Sequence, residues 1–290
     1  MNGIIAIDKP AGFTSRDVVN KVGKYLKTKK IGHTGTLDPL ATGVLVLCVG
    51  NCSKLAELIT ATKKTYLAEV LLGIETDTLD NTGTILKEEN VIISEEEIKE
   101  VLASFIGTYD QQVPAYSAVK IKGKKLYEYA REGIELDLPS RPVTISELTL
   151  LTPPIQENGK LKFTIQASVS KGTYIRSLIR DIASRLGTVG VMSNLRRITQ
   201  GQFQLKDCVT LDQLEKGIYT LLSKEELFQE TPKIRMDSIL ESKVKNGSLL
   251  PNVYGLEPIF FVDSNQKIIA IYKEYEKNNQ WIKPWKTFFE

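Results

Sequence analysis

The sequence predicts an α+β fold with a mixed or antiparallel main sheet, followed by a small β-rich unit. Three observations predict it. Residues 143–151 and 160–169 alternate between apolar and polar side chains, the pattern of half-exposed antiparallel strands. Helical periodicities fall between the strands irregularly, without the steady βαβ alternation of a doubly wound fold. Beyond about residue 230 the composition changes to short β-like runs, 259–262 and 268–272, separated by Asn, Gly and Pro turns. The expected division is 1–232 and 233–290.

In chain order, residues 3–7 (GIIAI) read as a buried strand ended by Asp8, Lys9, Pro10 and a Gly12 turn. Ser15 is the expected cap of a helix in which Val18, Val19, Val22, Tyr25 and Leu26 recur at helical spacing. The basic run 27–30 closes it, as the helix dipole favours. Residues 44–49 predict a strand, 53–60 a short helix and 65–72 another strand, and 73–83 read as a polar loop. Ser94 with Glu97 makes a capping box that opens a helix through about Phe105. Residues 117–121 and 125–133 read as strand then helix. Residues 174–186 predict a helix with Gly187 at its C′ position. The tail 281–289 is aromatic and basic, and no internal repeat or low-complexity tract interrupts the chain.

With 290 residues, 42% of them hydrophobic and 25% charged, the chain can build a core of normal size. No run approaches the roughly 18 apolar residues of a membrane span, and MNGIIAIDKP lacks the basic lead of a signal peptide. Cys48, Cys52 and Cys208 form no Cys-x-x-Cys and read as reduced thiols of a cytoplasmic protein. One histidine, His33, and scattered cysteines cannot form a His/Cys zinc site at the usual spacing. No Asp/Glu cluster suggests Mg²⁺, so neither metal nor cofactor is expected. The net charge is +3, but it is segregated. Residues 1–64 hold ten Lys/Arg against four Asp/Glu, 171–206 hold seven against one, and 75–100 hold two against nine. Two basic segments on a nearly neutral chain fit either solvated faces or a positive face for a polyanion.

Three segments carry candidate chemistry. Residues 32–43 (GHTGTLDPLATG) pack three glycines, His33, Asp38 and Pro39 into one loop, a density that marks unusual backbone angles or close approach to a ligand. Without Gly-Lys-Ser/Thr it is not a P-loop. Asp38 reads as a site carboxylate or as an Asx-turn residue that shapes the loop. In 171–180 (KGTYIRSLIR), Arg176 and Arg180 share a helix face; they are a solvated face, or one of them pairs with a carboxylate or phosphate. At Lys63-Lys64-Thr65-Tyr66 the tyrosine is boundary packing, or it stacks on a nucleobase with the lysines near the backbone.

GHTGTLDPLATGVL resembles the signature of the TruB-type tRNA pseudouridine synthases. Five further segments match that family in the same order: DKPAGFTS (8–15), KTY (64–66), VPAYSAVKIKGKKLYEYAREG (113–133), SKGTYIRSLIRD (170–181) and LRR (195–197). The match spans residues 3–206. The C-terminal 55 or so residues resemble a PUA-type RNA-binding domain more loosely.

The resemblance implies a pseudouridine synthase catalytic domain followed by a PUA-like domain, acting as a monomer on the T arm of tRNA at uridine 55. It implies that Asp38 starts the chemistry, either as a nucleophile at C1′ or C6 or by taking a proton from C2′ to give a glycal. It makes Arg176 the cation paired with Asp38. Tyr66 stacks on the extruded uracil, Tyr174 and Leu195 complete the pocket, and His33 fills the gap in the RNA stack. Lys9, Lys63, Lys64, Arg196 and Arg197 are the expected contacts to the RNA backbone. The rival readings are an RNA-binding protein that keeps the fold without the chemistry, and a hydrolase that cuts a glycosidic bond. The latter would use a second acid about 5 Å away.

Overall fold

The structure, a computed structural model, describes residues 1–289. Seven strands form the backbone of its main sheet: β1 (Gly3–Lys9), β2 (Thr42–Val49), β3 (Lys64–Leu72), β4 (Gly107–Gln112), β5 (Ser140–Leu150), β6 (Lys160–Val169) and β7 (Gly190–Gln200). Their spatial order is β1-β2-β7-β3-β6-β5-β4. Neighbours are antiparallel except β7 with β2, which run parallel, so the sheet is mixed. Short strands at Ile31–His33, Ile155–Glu157 and Phe203–Gln204 add to its edges.

The alternation along β3 explains its place. Lys64, Tyr66, Ala68, Val70 and Leu72 are buried in turn, while the residues between them are half-buried, as a period of two requires. Gly43 permits the parallel seam. Its φ is +98°, and a Cβ there would lie 2.2 Å from the Arg197 carbonyl oxygen; a residue with a side chain would push β2 away from β7.

Three helices cover one face: α1 (Ser15–Tyr25), α2 (Glu95–Ser104) and α3 (Ile175–Arg185). Val18 and Val22 of α1, Ile98 and Leu102 of α2, and Leu178 and Ile182 of α3 meet Ile5, Leu45, Leu47, Val70 and Ile165 of the sheet. The opposite face of β1 and β2 presents Ile4, Ala6, Val44, Val46 and Cys48.

That second face is covered by the C-terminal unit. It is a five-stranded sheet, β8 (Lys233–Arg235), β9 (Leu250–Pro251), β10 (Ile259–Val262), β11 (Ile268–Glu274) and β12 (Trp281–Thr287), in the order β8-β10-β11-β12-β9. Phe260, Ile268, Ile271 and Phe288 pack onto the back of β1 and β2. Phe261, Ala270 and Tyr272 face a separate inner cluster with Met236 and Val244. Burying a large apolar side chain contributes about 1.5–3 kcal/mol, so a shared core of this size holds the units together. Polar clamps ring it: Glu57 accepts from Trp285 Nε1 at 3.2 Å and from Lys286 Nζ at 2.8 Å.

Several elements differ from the sequence reading. Thr14, not Ser15, caps α1, in a capping box with Asp17. The expected helix at 53–60 is a 3-10 turn, Gly50–Leu55, continued by Ala56–Thr60. The segment 73–83 is not all loop, because Ile74–Thr76 pairs with Ile85–Glu88. Strand β7, at the centre of the sheet, was not anticipated; its paired arginines mask the alternation and its register against β3 shifts twice. Among the described residues no helix is long and apolar enough to cross a membrane.

Candidate active site

Asp38 stands on the loop between Ile31–His33 and β2, over the junction of β2, β7 and β3. The guanidinium of Arg176, in the first turn of α3, takes both its oxygens: Nε to Oδ2 at 2.9 Å and Nη2 to Oδ1 at 3.2 Å. Two further donors are used, Nη1 to the Thr78 carbonyl at 2.9 Å and Nη2 to the Tyr116 carbonyl at 3.0 Å. Arg176 is therefore an oriented fork of the kind that fixes a carboxylate plane. Its side chain is 6% exposed, whereas that of Asp38 is 34% exposed. The carboxylate is gripped from below and open from above.

The loop is pinned along its length. The Lys9 ammonium, fully buried, donates to the carbonyls of Pro10 (2.9 Å), Pro39 (3.3 Å) and Ala41 (2.6 Å). The Ser15 hydroxyl bonds Leu37, the residue before Asp38. Gln200 reaches across to the Thr34 hydroxyl at 2.6 Å and carbonyl at 3.1 Å. Arg197, 1% exposed, donates to the carbonyls of Gly35 (3.3 Å), Thr36 (3.0 Å) and Val44 (3.2 Å).

Of the other expected site residues, Tyr66 is tied to this loop through Arg197 and His33 lies at its start. Tyr66 is buried directly opposite Arg197 in the ladder, and its hydroxyl accepts from Arg197 Nε at 3.2 Å. Leu195, two residues before Arg197 and opposite Ala68, is buried in the same core cluster as Tyr66. Tyr174 caps α3. Its N–H donates to Gln111 Oε1 at 2.8 Å, its carbonyl accepts from Gln111 Nε2 at 3.1 Å, and Arg141 stacks on its ring at 5.0 Å. His33 sits half-buried where the loop begins, and burial, then the charges of Arg16 and Arg197, lowers its pKa.

Three of the five residues expected to contact the RNA backbone are corrected. Lys9, Lys64 and Arg197 are buried, and their donors are spent inside the protein, chiefly on main-chain carbonyls; Lys64 Nζ bonds those of Thr60 and Thr62. Arg196 follows Arg197 on a strand, so it points to the other face. There it pairs with Asp8 at 2.8 Å and Thr42 at 3.2 Å and stays partly exposed. Lys63 remains exposed. Burial pushes Lys9 and Lys64 down to about 8; for Lys9 the Asp38 charge opposes the shift, and for Lys64 the Arg197 charge adds to it.

Ser15, Gln111, Arg141 and Gln200 are positioning groups that sequence reasoning missed. Gln111 lies in an unremarkable polar strand, and nothing in the sequence marks its tie to Tyr174. A cavity of about 720 Å³ opens beside the C-terminal half of α3, between Tyr109, Gln112, Arg180, Asp181 and Arg185, and includes none of Asp38, Tyr66 and Arg176. Among the described residues no group of three or more His, Cys, Asp or Glu is placed to hold a metal ion.

Two family models match the chain. The TruB family pseudouridylate synthase N-terminal domain covers residues 23–175, and the tRNA pseudouridylate synthase B C-terminal domain covers 176–241. A protein named tRNA pseudouridine synthase B from Bacillus pumilus (strain SAFR-032) is 47% identical over 259 residues, covering 87% of this chain and 84% of its own. Its namesake from Bacillus cytotoxicus is 42% identical over 298 residues, covering 99% and 97%. Among solved structures, a chain of an H/ACA ribonucleoprotein bound to a substrate RNA containing 2′-deoxyuridine matches with a TM-score of 0.69 at 23% identity, covering 99% of this chain and 85% of that one. At that identity the likeness shows the fold.

Proposed function

The chain belongs to the TruB family of pseudouridylate synthases, and on that premise we propose that it isomerises uridine 55 in the T loop of tRNA to pseudouridine, with Asp38 as the catalytic carboxylate. The observation that carries the reading is the fork between Asp38 and Arg176. A carboxylate with both oxygens bound by one buried guanidinium keeps a fixed plane, yet this one stays open on the side a substrate would take.

The reaction breaks C1′–N1 and joins C5 to C1′ after the base turns over. It exchanges no electrons with an external group, so the reading calls for no cofactor. The target base must first leave the folded loop, at a cost of a few kcal/mol. Tyr66 then stacks on the uracil and helps remove the C5 proton, with Tyr174 and Leu195 as further pocket walls. His33 fills the space left in the RNA stack, and Lys63 reaches a phosphate. Asp38 acts either as a nucleophile or as the base at C2′. The reading takes the protein to act as a monomer, in the cytoplasm. Residues 1–232 form the catalytic domain in this reading, and 233–290 a PUA-like domain that binds RNA. The start of β8 at Lys233 supports that division.

The test uses an unmodified T-arm RNA labelled with [5-³H]uridine. Tritium release with a mass-neutral product, mapped to position 55, is the expected result, and Asp38→Asn should abolish it while RNA binding persists. Normal turnover by Asp38→Asn, or release of free uracil, would overturn the reading.

A further inference from the structure

Arg197 is a cation in a place where a cation is expensive. It is 1% exposed, and among the described residues no carboxylate pairs with it. Burying a charge without a counter-ion costs several kcal/mol unless its protons find well-placed acceptors. A methionine or leucine would fill the volume without that cost. The acceptors Arg197 finds are not scattered. Thr36 and Gly35 lie two and three residues before Asp38, Val44 is the third residue of β2, and Nε donates to the hydroxyl of Tyr66. Gln200 Oε1, 3.1 Å from Nη1, sets the guanidinium plane while its amide holds Thr34.

We propose that Arg197 is a positioning residue that fixes the Asp38 loop and the Tyr66 hydroxyl relative to one another. The proposal rests on the reading of Asp38 and Tyr66 as the reacting groups. In the isomerisation C5 gives up its proton while N1, freed from C1′, takes one up. Asp38 and Tyr66 must therefore act on different atoms of one nucleotide, with Tyr66 at C5 of the ring, and the two sit on different elements. One planar group bonded to both sets their separation. Its Nε–H occupies one lone pair of the Tyr66 oxygen, which leaves the other lone pair and the hydroxyl proton for the pocket side. Arg197 makes and breaks no bond. It also stacks beneath the tyrosine ring, 5.4 Å from its centroid, so the ring and its hydroxyl are held by the same side chain.

The test compares full-length wild type, Arg197→Lys, Tyr66→Phe and the double variant under single turnover with T-arm RNA. A lysine keeps the charge but cannot bond the loop and the hydroxyl at once. Misplacing reacting groups by about 1 Å costs roughly 10²-fold in rate, so Arg197→Lys should lose about that in kcat with Kd for the RNA within threefold. A merely structural role would cost the same factor with or without the Tyr66 hydroxyl. Positioning through that hydroxyl predicts a loss at least tenfold smaller in the Tyr66→Phe background. Should Arg197→Lys fail to fold, Gln200→Met frees one side of the guanidinium with Arg197 in place and should lower kcat about tenfold without changing Kd. Wild-type kcat in the variant that folds, or equal losses in both backgrounds, overturns the proposal. Failure of the underlying reading is distinguishable, because it would show as turnover by Asp38→Asn.

Discussion

The hydroxyl of Ser15 closes a two-way bond with Leu37: it accepts the Leu37 N–H at 2.8 Å and donates to the Leu37 carbonyl at 3.1 Å. A residue at the start of α1 thereby sets the backbone one position before Asp38. Ser15→Ala leaves the buried Leu37 amide unsatisfied, which costs about 1–3 kcal/mol. The expected result is a lower melting temperature together with a roughly tenfold fall in single-turnover rate. Unchanged turnover would remove Ser15 from the positioning of the loop.

Lys9 and Lys64 predict how stability responds to alkali. Both are pushed down from 10.5 to about 8, chiefly by burial. Between about pH 8 and 10.5 the unfolded chain holds protons on these lysines that the folded chain has released. Unfolding free energy should therefore rise across that window on their account, and the cost of burying the two charges is fully present below pH 8. Lys64→Met removes its share. Urea unfolding of both proteins at pH 7.5 and 9.5 should show wild type gaining more, or losing less, than the variant; parallel changes would mean that Lys64 titrates normally.

Gln111 holds Tyr174 with its amide on both main-chain groups, and it also donates to the Tyr109 hydroxyl at 2.8 Å. Gln111→Leu matches the volume and removes all three bonds. Because Tyr174 walls the pocket in the proposed reaction, KM for T-arm RNA should rise about tenfold. That is the equivalent of roughly 1.4 kcal/mol. A variant that loses stability while keeping KM would show that Gln111 serves the helix cap alone.

The burial of Lys64 beside exposed Lys63 separates two lysines that are adjacent in sequence. A phosphate contact contributes to the salt dependence of RNA affinity, and losing one lowers the slope of log K against log salt by about 0.7–0.9. Lys63→Ala should show that change. Lys64→Met should leave the slope intact, since its ammonium is committed to Thr60 and Thr62. The reverse pattern would restore Lys64 as an RNA contact.

These residues also show what could be read before the structure. Motif order paired Arg176 with Asp38, a contact present in the structure, and local patterns found the α2 capping box and the antiparallel pair β5–β6. Charge misled at Lys9, Lys64 and Arg197. A cation reads as solvent-facing by default, and here the acceptors are carbonyls supplied largely by loops distant in sequence, which carry no side-chain signature. Adjacent Arg196 and Arg197 did hold a clue, since neighbours on a strand cannot face the same way. It became usable only once 190–200 was known to be a strand, and that strand is obscured by its polar residues and register shifts.

The shared core behind β1 and β2 bears on how the protein is made. Ile4, Ala6, Val44 and Val46 emerge from the ribosome within the first fifth of the chain, yet their covering side chains, Phe260, Ile271 and Phe288, arrive in its last tenth or so. At a synthesis rate of about 5–20 residues per second, the oldest strands wait some ten to fifty seconds with part of one apolar face bare. The nascent chain is therefore most prone to aggregation on this face, and the arrival of Phe260, Ile271 and Phe288, rather than completion of the main sheet, ends that exposure.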